Sequence, residues 1–209
     1  MKKQLVVFLL TIAVTVFFTA CNSSKNTAQN AAGQSGMNEA AVSSDLINTI
    51  LGSYSQRSFK EGVVPPDALE TILNCAQKAP SAGNGQPWHF TVITNNEIAR
   101  QTAPRHYVEG AAVIVISGKA DERRGVSIAF DAALASQNIY LASQALGFGT
   151  RQYYTGVQAI NDNQKTALAI PADYEAQIIM LIGFSADDVD AVTAASPRRS
   201  FKDNVNYVE

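Results

Sequence analysis

Three polar or glycine-rich segments contain residue types that could carry chemistry. The first is Ser55–Lys60, in which Arg57, Ser58 and Lys60 place two cations and a hydroxyl group close together. Guanidinium, ammonium and hydroxyl groups are well suited to binding a phosphate group. A solvated surface turn has the same composition. This segment alone therefore leaves both interpretations open.

The second segment is the loop Ala79–Trp88. Two prolines restrict its backbone, while two glycines allow backbone angles that other residues avoid. The loop also offers a hydroxyl group and two side-chain amides, from Ser81, Asn84 and Gln86. A connecting loop needs only its turn residues, so this extra set of polar groups predicts a rigid surface that binds a planar heterocycle.

The third segment runs from Leu146–Thr150 into Tyr153–Gly156. Glycine lets an aromatic ring approach the main chain, whose N–H groups can then donate to ring nitrogen or oxygen atoms. Gly147 is equally well explained as the residue that ends a helix. Thr155–Gly156 is therefore the part of this segment that indicates binding.

Helix and strand patterns surround these segments without a regular alternation. Apolar residues of the first helix, which begins at Ser44 or Asp45, fall on one face. The continuous apolar runs predict strands that are buried on both faces, and the order of elements predicts an α+β fold. The other predicted helices begin at Pro65–Asp67, Val126 and Asp162, and the predicted strands are His89–Thr94, Ala112–Ser117, Phe148–Tyr154 and Gln177–Ile182.

Composition excludes several classes of protein. The chain has 209 residues, of which 46% are hydrophobic and 16% charged, so intrinsic disorder of the whole chain is excluded. The formal net charge is −2 and the cations are scattered, which argues against nucleic acid as a partner. The two histidines, His89 and His106, and the two cysteines have no metal-binding spacing, so no metal site is predicted. Cys75 is interpreted as an inert thiol in the second helix.

The N-terminus has the pattern of an export signal. Two lysines precede the apolar run Leu5–Phe18, which is short for a membrane span. Phe18–Cys21 resembles the lipobox of bacterial lipoproteins, which implies lipidation of Cys21 after removal of residues 1–20. An ordinary secretion signal or an uncleaved anchor remains the alternative.

The predicted organisation follows from that signal. Residues 21–41 contain almost no large apolar side chain and are interpreted as a flexible polar tether. Residues 42–209 form the predicted domain. A lipid anchor at Cys21 would place this domain in the cell envelope, facing the periplasm or the cell exterior.

Taken in order, the three segments resemble the nitroreductase family of flavoproteins. The resemblance extends from Leu46 to the C-terminus and is most specific in the loop Ala79–Trp88, while Asp131–Gly147 is similar to the family's central helix. It implies a nitroreductase-like fold, in which a central mixed sheet is flanked by helices. It also implies a homodimer with two FMN sites at the interface. Small residues of the helix that begins at Val126, such as Ala132, Ala135 and Ser136, would allow the close packing of such a dimer, although a helical core within one chain explains them almost as well.

The resemblance assigns a role to individual residues. The family begins with two basic residues, a serine, any residue and a basic residue, which bind the FMN phosphate and ribityl oxygens. Gln56 departs from that pattern at its first position. The FMN-binding residues implied are Arg57, Ser58, Lys60, Pro80, Ser81, Asn84, Gln86, Thr155, Gly156, Arg198 and Arg199.

Two functions remain open on the sequence. By resemblance, the chain is an oxidoreductase in which FMN itself carries hydride by a ping-pong cycle, from NAD(P)H to a nitroaromatic, a quinone or a similar conjugated acceptor, with no catalytic side chain. The alternative is a lipoprotein that binds flavin or another small ligand without turnover. Gln56 and the export signal favour the alternative, since NAD(P)H is not expected outside the cytoplasm, whereas the loop Ala79–Trp88 favours the enzyme.

Overall fold

A computed structural model describes residues 45–103, 105–119, 127–186 and 198–208. The predicted signal peptide, the lipidation site Cys21 and the tether lie outside the described residues. In the part of the chain that is described, no helix combines the length and the apolar character needed to cross a membrane.

Helices and strands are mixed along the chain, as the sequence predicted. Short helical turns at Ala82–Asn84 and Ile160–Gln164 accompany the longer elements. The elements are α1 (45–52), β1 (Phe59–Lys60), α2 (Pro66–Gln77), β2 (Trp88–Ile93), α3 (Asn96–Thr102), β3 (Ala112–Gly118), α4 (Ile128–Ala145), β4 (Gly149–Tyr153), α5 (Val157–Ala159), β5 (Glu175–Ser185) and α6 (Phe201–Asn204). The predicted α+β class is confirmed.

The sheet is organised around β5. Ile179 pairs with both Val115 of β3 and Tyr153 of β4, so β5 has a neighbour on each edge. β1 also pairs with β5, and β2 pairs with the outer edge of β3.

The strand directions differ from the predicted mixed sheet, because every pairing among the described strands is antiparallel. The connection between β2 and β3 shows the reason. Ile93, the last residue of β2, pairs with Val113 near the start of β3. The connection thus begins and ends at one end of the sheet, so β3 must run opposite to β2.

Apolar side chains are buried on both faces of the sheet. On one face, Val113 and Val115 of β3 pack in a cluster with Tyr153. On the other face, alternate residues of β3 pack with α2 and α4, including Ile72 and Ile139. This double burial explains the continuous apolar run that the sequence shows in β3.

Two helices differ from their sequence-based interpretation. The apolar residues of α1 (Leu46, Ile47, Ile50 and Leu51) are all exposed, so its apolar face does not enter the core of the chain. The helix predicted at Asp162–Ala169 lies earlier, at Val157–Gln164. Ala169 adopts a left-handed φ of 52°, which is incompatible with a helix continuing through it. The short helix α3, which the sequence analysis missed, is capped by Asn95.

Two glycines with nearly equal backbone angles give a test of this packing. Gly110 has φ +84° and Gly147 has φ +83°, but a Cβ at Gly110 would lie 2.6 Å from the backbone of Gly62, whereas a Cβ at Gly147 meets nothing within 4 Å. We expect Gly147→Ala to lower the free energy of unfolding by about 1–2 kcal/mol, the cost of the left-handed angle. Gly110→Ala should cost about 1–3 kcal/mol more because backbone must move. Denaturant unfolding of both variants measures this difference, and equal losses would contradict it.

Candidate functional site

The segment around Arg57 lies against the outer edge of β4. The Gln56 N–H donates to the carbonyl of Thr150 at 3.0 Å, and two residues after Arg57 the chain pairs with β5 through β1. Arg57, Ser58 and Lys60 are exposed. Three of the predicted binding residues are therefore presented together at one edge of the sheet.

Gln56 has a structural role in this arrangement. Its side chain is 1% exposed, donates to the Ser58 carbonyl and accepts a hydrogen bond from the Ser185 hydroxyl at 3.3 Å. A buried and hydrogen-bonded amide fixes the backbone on either side of Arg57. The first position of the basic pattern is thus filled here by a residue that holds the segment in place.

Arg151 of β4 brings a further cation to this segment. Its Nη1 donates at 3.3 Å to the carbonyl of Gln56, which is the peptide group that joins Gln56 to Arg57. Arg151 projects from the face of the sheet that also carries Tyr153, because side chains two residues apart on a strand share a face. Its guanidinium lies 5.6 Å from the Tyr153 ring centroid.

Positive charge accumulates around His106. Burial lowers the pKa of His106, and the charges of Arg151, Arg105 and, more weakly, Arg57 lower it further. Among the described residues, none of these three arginines takes part in an ion pair. A cluster of cations without a carboxylate partner is an electrostatic site for an anion.

Tyr153 connects this cluster to the sheet. Its hydroxyl donates to the carbonyl of Arg105 and lies 3.1 Å from Nδ1 of His106. Because the phenol has one hydrogen, the neutral imidazole must carry its own hydrogen on Nδ1 to complete the pair. Burial raises the pKa of Tyr153 to about 12, so the phenol stays protonated at neutral pH.

A cavity of about 360 Å³ lies beside these groups. Arg105 and Tyr153 line one part of it, and Thr155 and Gly156, both predicted from the sequence, line another. Gly156 adopts a φ of +101°, which glycine tolerates and other residues rarely adopt. Thr155 and Gly156 thus border a space next to the arginine cluster, as binding of a ligand there would require.

The loop Ala79–Trp88 is held by its own polar groups. The Gln86 N–H donates to the Ser81 hydroxyl at 3.0 Å, and the Gln86 side chain donates to Asn84 Oδ1 at 3.3 Å. Asn84 and Gln86 both adopt left-handed angles, with φ of 53° and 46°. Such angles in non-glycine residues are costly and are frequently found at binding sites. Pro80, Asn84 and Gln86 are exposed at the surface of this loop.

One chain does not bring this loop to the arginine cluster. The loop is attached near the start of α4, where the Ala82 N–H donates to buried Asp131 at 3.0 Å. The Arg57 segment passes the other end of α4, where Gln144 donates to the Tyr54 carbonyl at 3.1 Å. At a helical rise of about 1.5 Å per residue, Asp131 and Gln144 are about 20 Å apart. The predicted binding residues of one chain therefore form two separate groups.

Arg198, one of the two C-terminal arginines, lies near the C-terminal half of α4. Burial is the main cause that raises the pKa of Tyr140, while its hydrogen bonds with Gln144 and Ser53, and the charge of Arg198, act in the opposite direction. Arg198 is thus near the C-terminal half of α4, close to the segment that leads to Arg57. Arg198 and Arg199 are both exposed.

The donor set suits a ligand that combines a phosphate with an aromatic ring. Arg57, Ser58 and the neighbouring arginines supply the charge and hydrogen-bond donors that a dianion needs. Gly156 leaves main chain accessible at the cavity, where a ring could approach it. Within the described ranges, no group of three or more His, Cys, Asp and Glu side chains is placed to hold a metal ion.

Comparison with known proteins links this arrangement to one family. Residues 50–110 match the model of the Nitroreductase family. A protein of Methanothermobacter thermautotrophicus named "Putative NADH dehydrogenase/NAD(P)H nitroreductase" is 29% identical over 153 residues, which cover 69% of this chain and 79% of the relative. These findings show that part of the chain is similar to the nitroreductase family.

Solved structures share the fold. A nitroreductase with bound FMN from Desulfitobacterium hafniense is 22% identical, with a TM-score of 0.65, over 79% of this chain and 98% of that protein. An FMN-dependent nitroreductase from Clostridium difficile is also 22% identical, with a TM-score of 0.66, over 78% of this chain and 99% of that one. The predicted nitroreductase-like fold is confirmed.

Sequence reasoning missed part of the cluster. Sequence patterns assign no role to Arg105, Arg151 or Tyr153 and no partner to His106. The pattern of the strand held a signal, since Arg151 and Tyr153 alternate on one face of β4. Their approach to Arg105 and His106 depends on the pairing of β4 with β5 and on the turn after α3, which spacing along the chain does not reveal.

The neutral state of His106 can be measured. NMR titration of the full chain, with the signal assigned by its loss in His106→Gln, should give a pKa below 6.5, since burial and the arginines disfavour the imidazolium. Because the pKa is lowered on folding, the neutral histidine stabilises the protein above about pH 6.5. That contribution is lost as the pH falls through the folded-state pKa. Added salt should raise the pKa by screening the arginines, and a pKa above 6.5 would contradict this electrostatic assignment.

Proposed function

We propose that this chain, which has the nitroreductase fold and matches that family over residues 50–110, binds FMN and is an FMN-dependent NAD(P)H oxidoreductase. One observation carries the proposal: Arg105, which has no ion-pair partner among the described residues, lines the same cavity as Thr155 and Gly156. Such a site combines the charge needed by a phosphate with access for a ring. Proteins with this fold that are named for bound FMN support the same reading.

The residues divide between the two parts of the cofactor. Arg57, Ser58 and Lys60 would hold the phosphate and the ribityl chain, joined from the C-terminus by Arg198 and Arg199. Thr155 and Gly156 would present main-chain N–H groups to the ring. Pro80, Ser81, Asn84 and Gln86 would contact the ring from the loop Ala79–Trp88.

When bound, FMN would supply the redox chemistry, which is hydride transfer from NAD(P)H to a conjugated acceptor such as a nitroaromatic or a quinone. The side chains of this protein bind and orient. Cations and N–H donors at the site favour negative charge in a bound ligand. Burial, together with the charges of Arg151 and Arg105, lowers the pKa of His106, and burial raises the pKa of Tyr153 to about 12, so both groups keep the protons of the hydrogen bonds that join them.

We also propose that the site is completed by a second copy of the chain. The loop Ala79–Trp88 and the Arg57 segment are attached near opposite ends of α4, about 20 Å apart at its helical rise, so a ligand held at Arg57 is distant from the loop of its own chain. Large apolar residues that a partner could cover are exposed on α1, α4 and the C-terminal segment; they are Leu46, Ile47, Ile50, Leu51, Phe130, Leu134, Phe201 and Tyr207. Exposed apolar groups of this kind mark interaction surfaces.

Mixed dimers test whether the loop acts across an interface. Two variants, Arg57→Ala and Asn84→Ala, are given different affinity tags and coexpressed. Each chain then carries one substitution. If the loop of one chain meets Arg57 of the other, about one quarter of the sites in a statistical mixture combine two unmodified parts. FMN content measured by absorbance should then exceed that of either variant alone. Equal content in the mixture and in the single variants would show that each site is built from one chain.

The cell-envelope location remains a proposal. The signal peptide, lipidation at Cys21 and the tether are supported by the sequence pattern Phe18–Cys21 and by the composition of residues 21–41. An enzyme held there would need an electron donor at the membrane surface. A flavin-binding protein with little turnover is the second candidate function, and the export signal favours it.

Absorbance of the purified full chain separates the two candidate functions. We expect a yellow protein whose flavin band is bleached by NADH or NADPH within seconds. A flavin band that neither reductant bleaches would favour the second candidate, while protein without flavin, before and after incubation with FMN, would contradict both. Arg57→Ala should weaken FMN binding by about 1.5–3 kcal/mol, the loss of a charge-assisted contact.

A further inference from the structure

Arg151 has a buried hydrogen-bond donor for which the described residues supply no acceptor. Within the part of the chain that the structure describes, its buried Nε has no hydrogen-bond partner, and its guanidinium makes one hydrogen bond, the 3.3 Å contact from Nη1 to the Gln56 carbonyl. Buried guanidinium donors normally have partners, so Arg151 is a cation whose hydrogen-bonding capacity the described residues do not fill.

The position of Arg151 indicates which ligand group this is. Its hydrogen bond falls on the peptide group between Gln56 and Arg57, so its guanidinium lies next to the backbone of the proposed phosphate-binding segment. Its charge and that of Arg57 both act on the pKa of His106, although Arg57 acts more weakly. The two guanidinium groups thus belong to one electrostatic environment.

Gln56 explains why this second cation matters. The side chain at position 56 is neutral, buried and engaged with Ser185 and the Ser58 carbonyl, so it cannot turn outward to contact an anion without breaking those bonds. Arg151 approaches the same peptide from β4 with a full charge and a forked donor, the geometry that phosphate oxygens accept in pairs.

We propose that Arg151 is a phosphate-binding residue of this site, supplying from β4 the guanidinium that Gln56 does not. The inference rests on the proposed function, because the phosphate in question is that of FMN. If Arg151 binds the phosphate, it strengthens the binding of FMN but not of riboflavin, which has the same ring and no phosphate.

Equilibrium titration of both flavins tests this assignment. The full chain is freed of bound flavin, and the quenching of FMN and riboflavin fluorescence is measured for the wild type, Arg151→Gln and Arg100→Gln. Arg100 is a matched control, since it is also an arginine near a tyrosine ring, 5.2 Å from the centroid of Tyr107. We expect Arg151→Gln to weaken FMN binding about ten- to a hundredfold, as for a lost charge-assisted hydrogen bond. Riboflavin binding, and FMN binding by Arg100→Gln, should stay within about twofold of the wild type, as no charge-assisted contact to the ligand is lost.

The other outcomes are decisive as well. Equal weakening of FMN and riboflavin by Arg151→Gln would overturn the proposal, because Arg151 would then shape the site without binding phosphate. Unchanged FMN binding would also overturn it, while FMN bound by the wild type would leave the proposed function standing. A wild-type chain that binds neither flavin would overturn both. If Arg151→Gln fails to fold, Arg151→Lys should still lose FMN affinity selectively, and an equal effect on both flavins would reject the proposal.

Discussion

The pairing of β5 with strands on both of its edges is the constraint on which the candidate site depends. β3 occupies one edge, so β4 and its Arg151 are placed on the other. The segment Gln56–Lys60 then follows the outer edge of β4 and joins the end of β5 through β1. Because β5 and β3 are almost wholly buried, this arrangement is anchored in the centre of the core and fixes which arginines become neighbours.

The consequence is an accumulation of positive charge that the described residues do not neutralise. Burial lowers the pKa of His106, and the charges of Arg151, Arg105 and, more weakly, Arg57 lower it further. Like charges brought together in this way oppose folding, and an anion bound among them relieves the repulsion. A ligand that binds only the folded chain therefore also stabilises it. The electrostatics of the site and the stability of this edge of the sheet are thus linked.

Sequence reasoning predicted the fold class and most of the strands because their signals are local. The apolar run in β3 predicted a strand buried on both faces, and Pro66 and Gly147 marked the ends of helices correctly. The strand directions were wrong because direction depends on where connections return the chain. α1 is a helix, as predicted, but its apolar residues are exposed because no element of the described chain covers them.

In the candidate site, too, sequence reasoning found the features that depend on neighbouring residues and missed those that depend on the fold. Arg57, Ser58 and Lys60 are close in the sequence and were found together, as were the polar residues of the loop Ala79–Trp88. The meeting of Arg151 with the Gln56–Arg57 peptide joins residues that are far apart in the sequence and requires the sheet register. Gln56, which the sequence shows as a departure from a basic pattern, is explained by its burial and its bond to Ser185.

The position of bound FMN tests the central claim most directly. A crystal structure of the full chain with FMN should place the phosphate within hydrogen-bonding distance of Arg57 and Ser58 of one chain. The ring should lie near Thr155 and Gly156 of that chain and against the loop Ala79–Trp88 of a second copy. A phosphate bound away from Arg57, or a ring that contacts the loop of its own chain, would contradict the account.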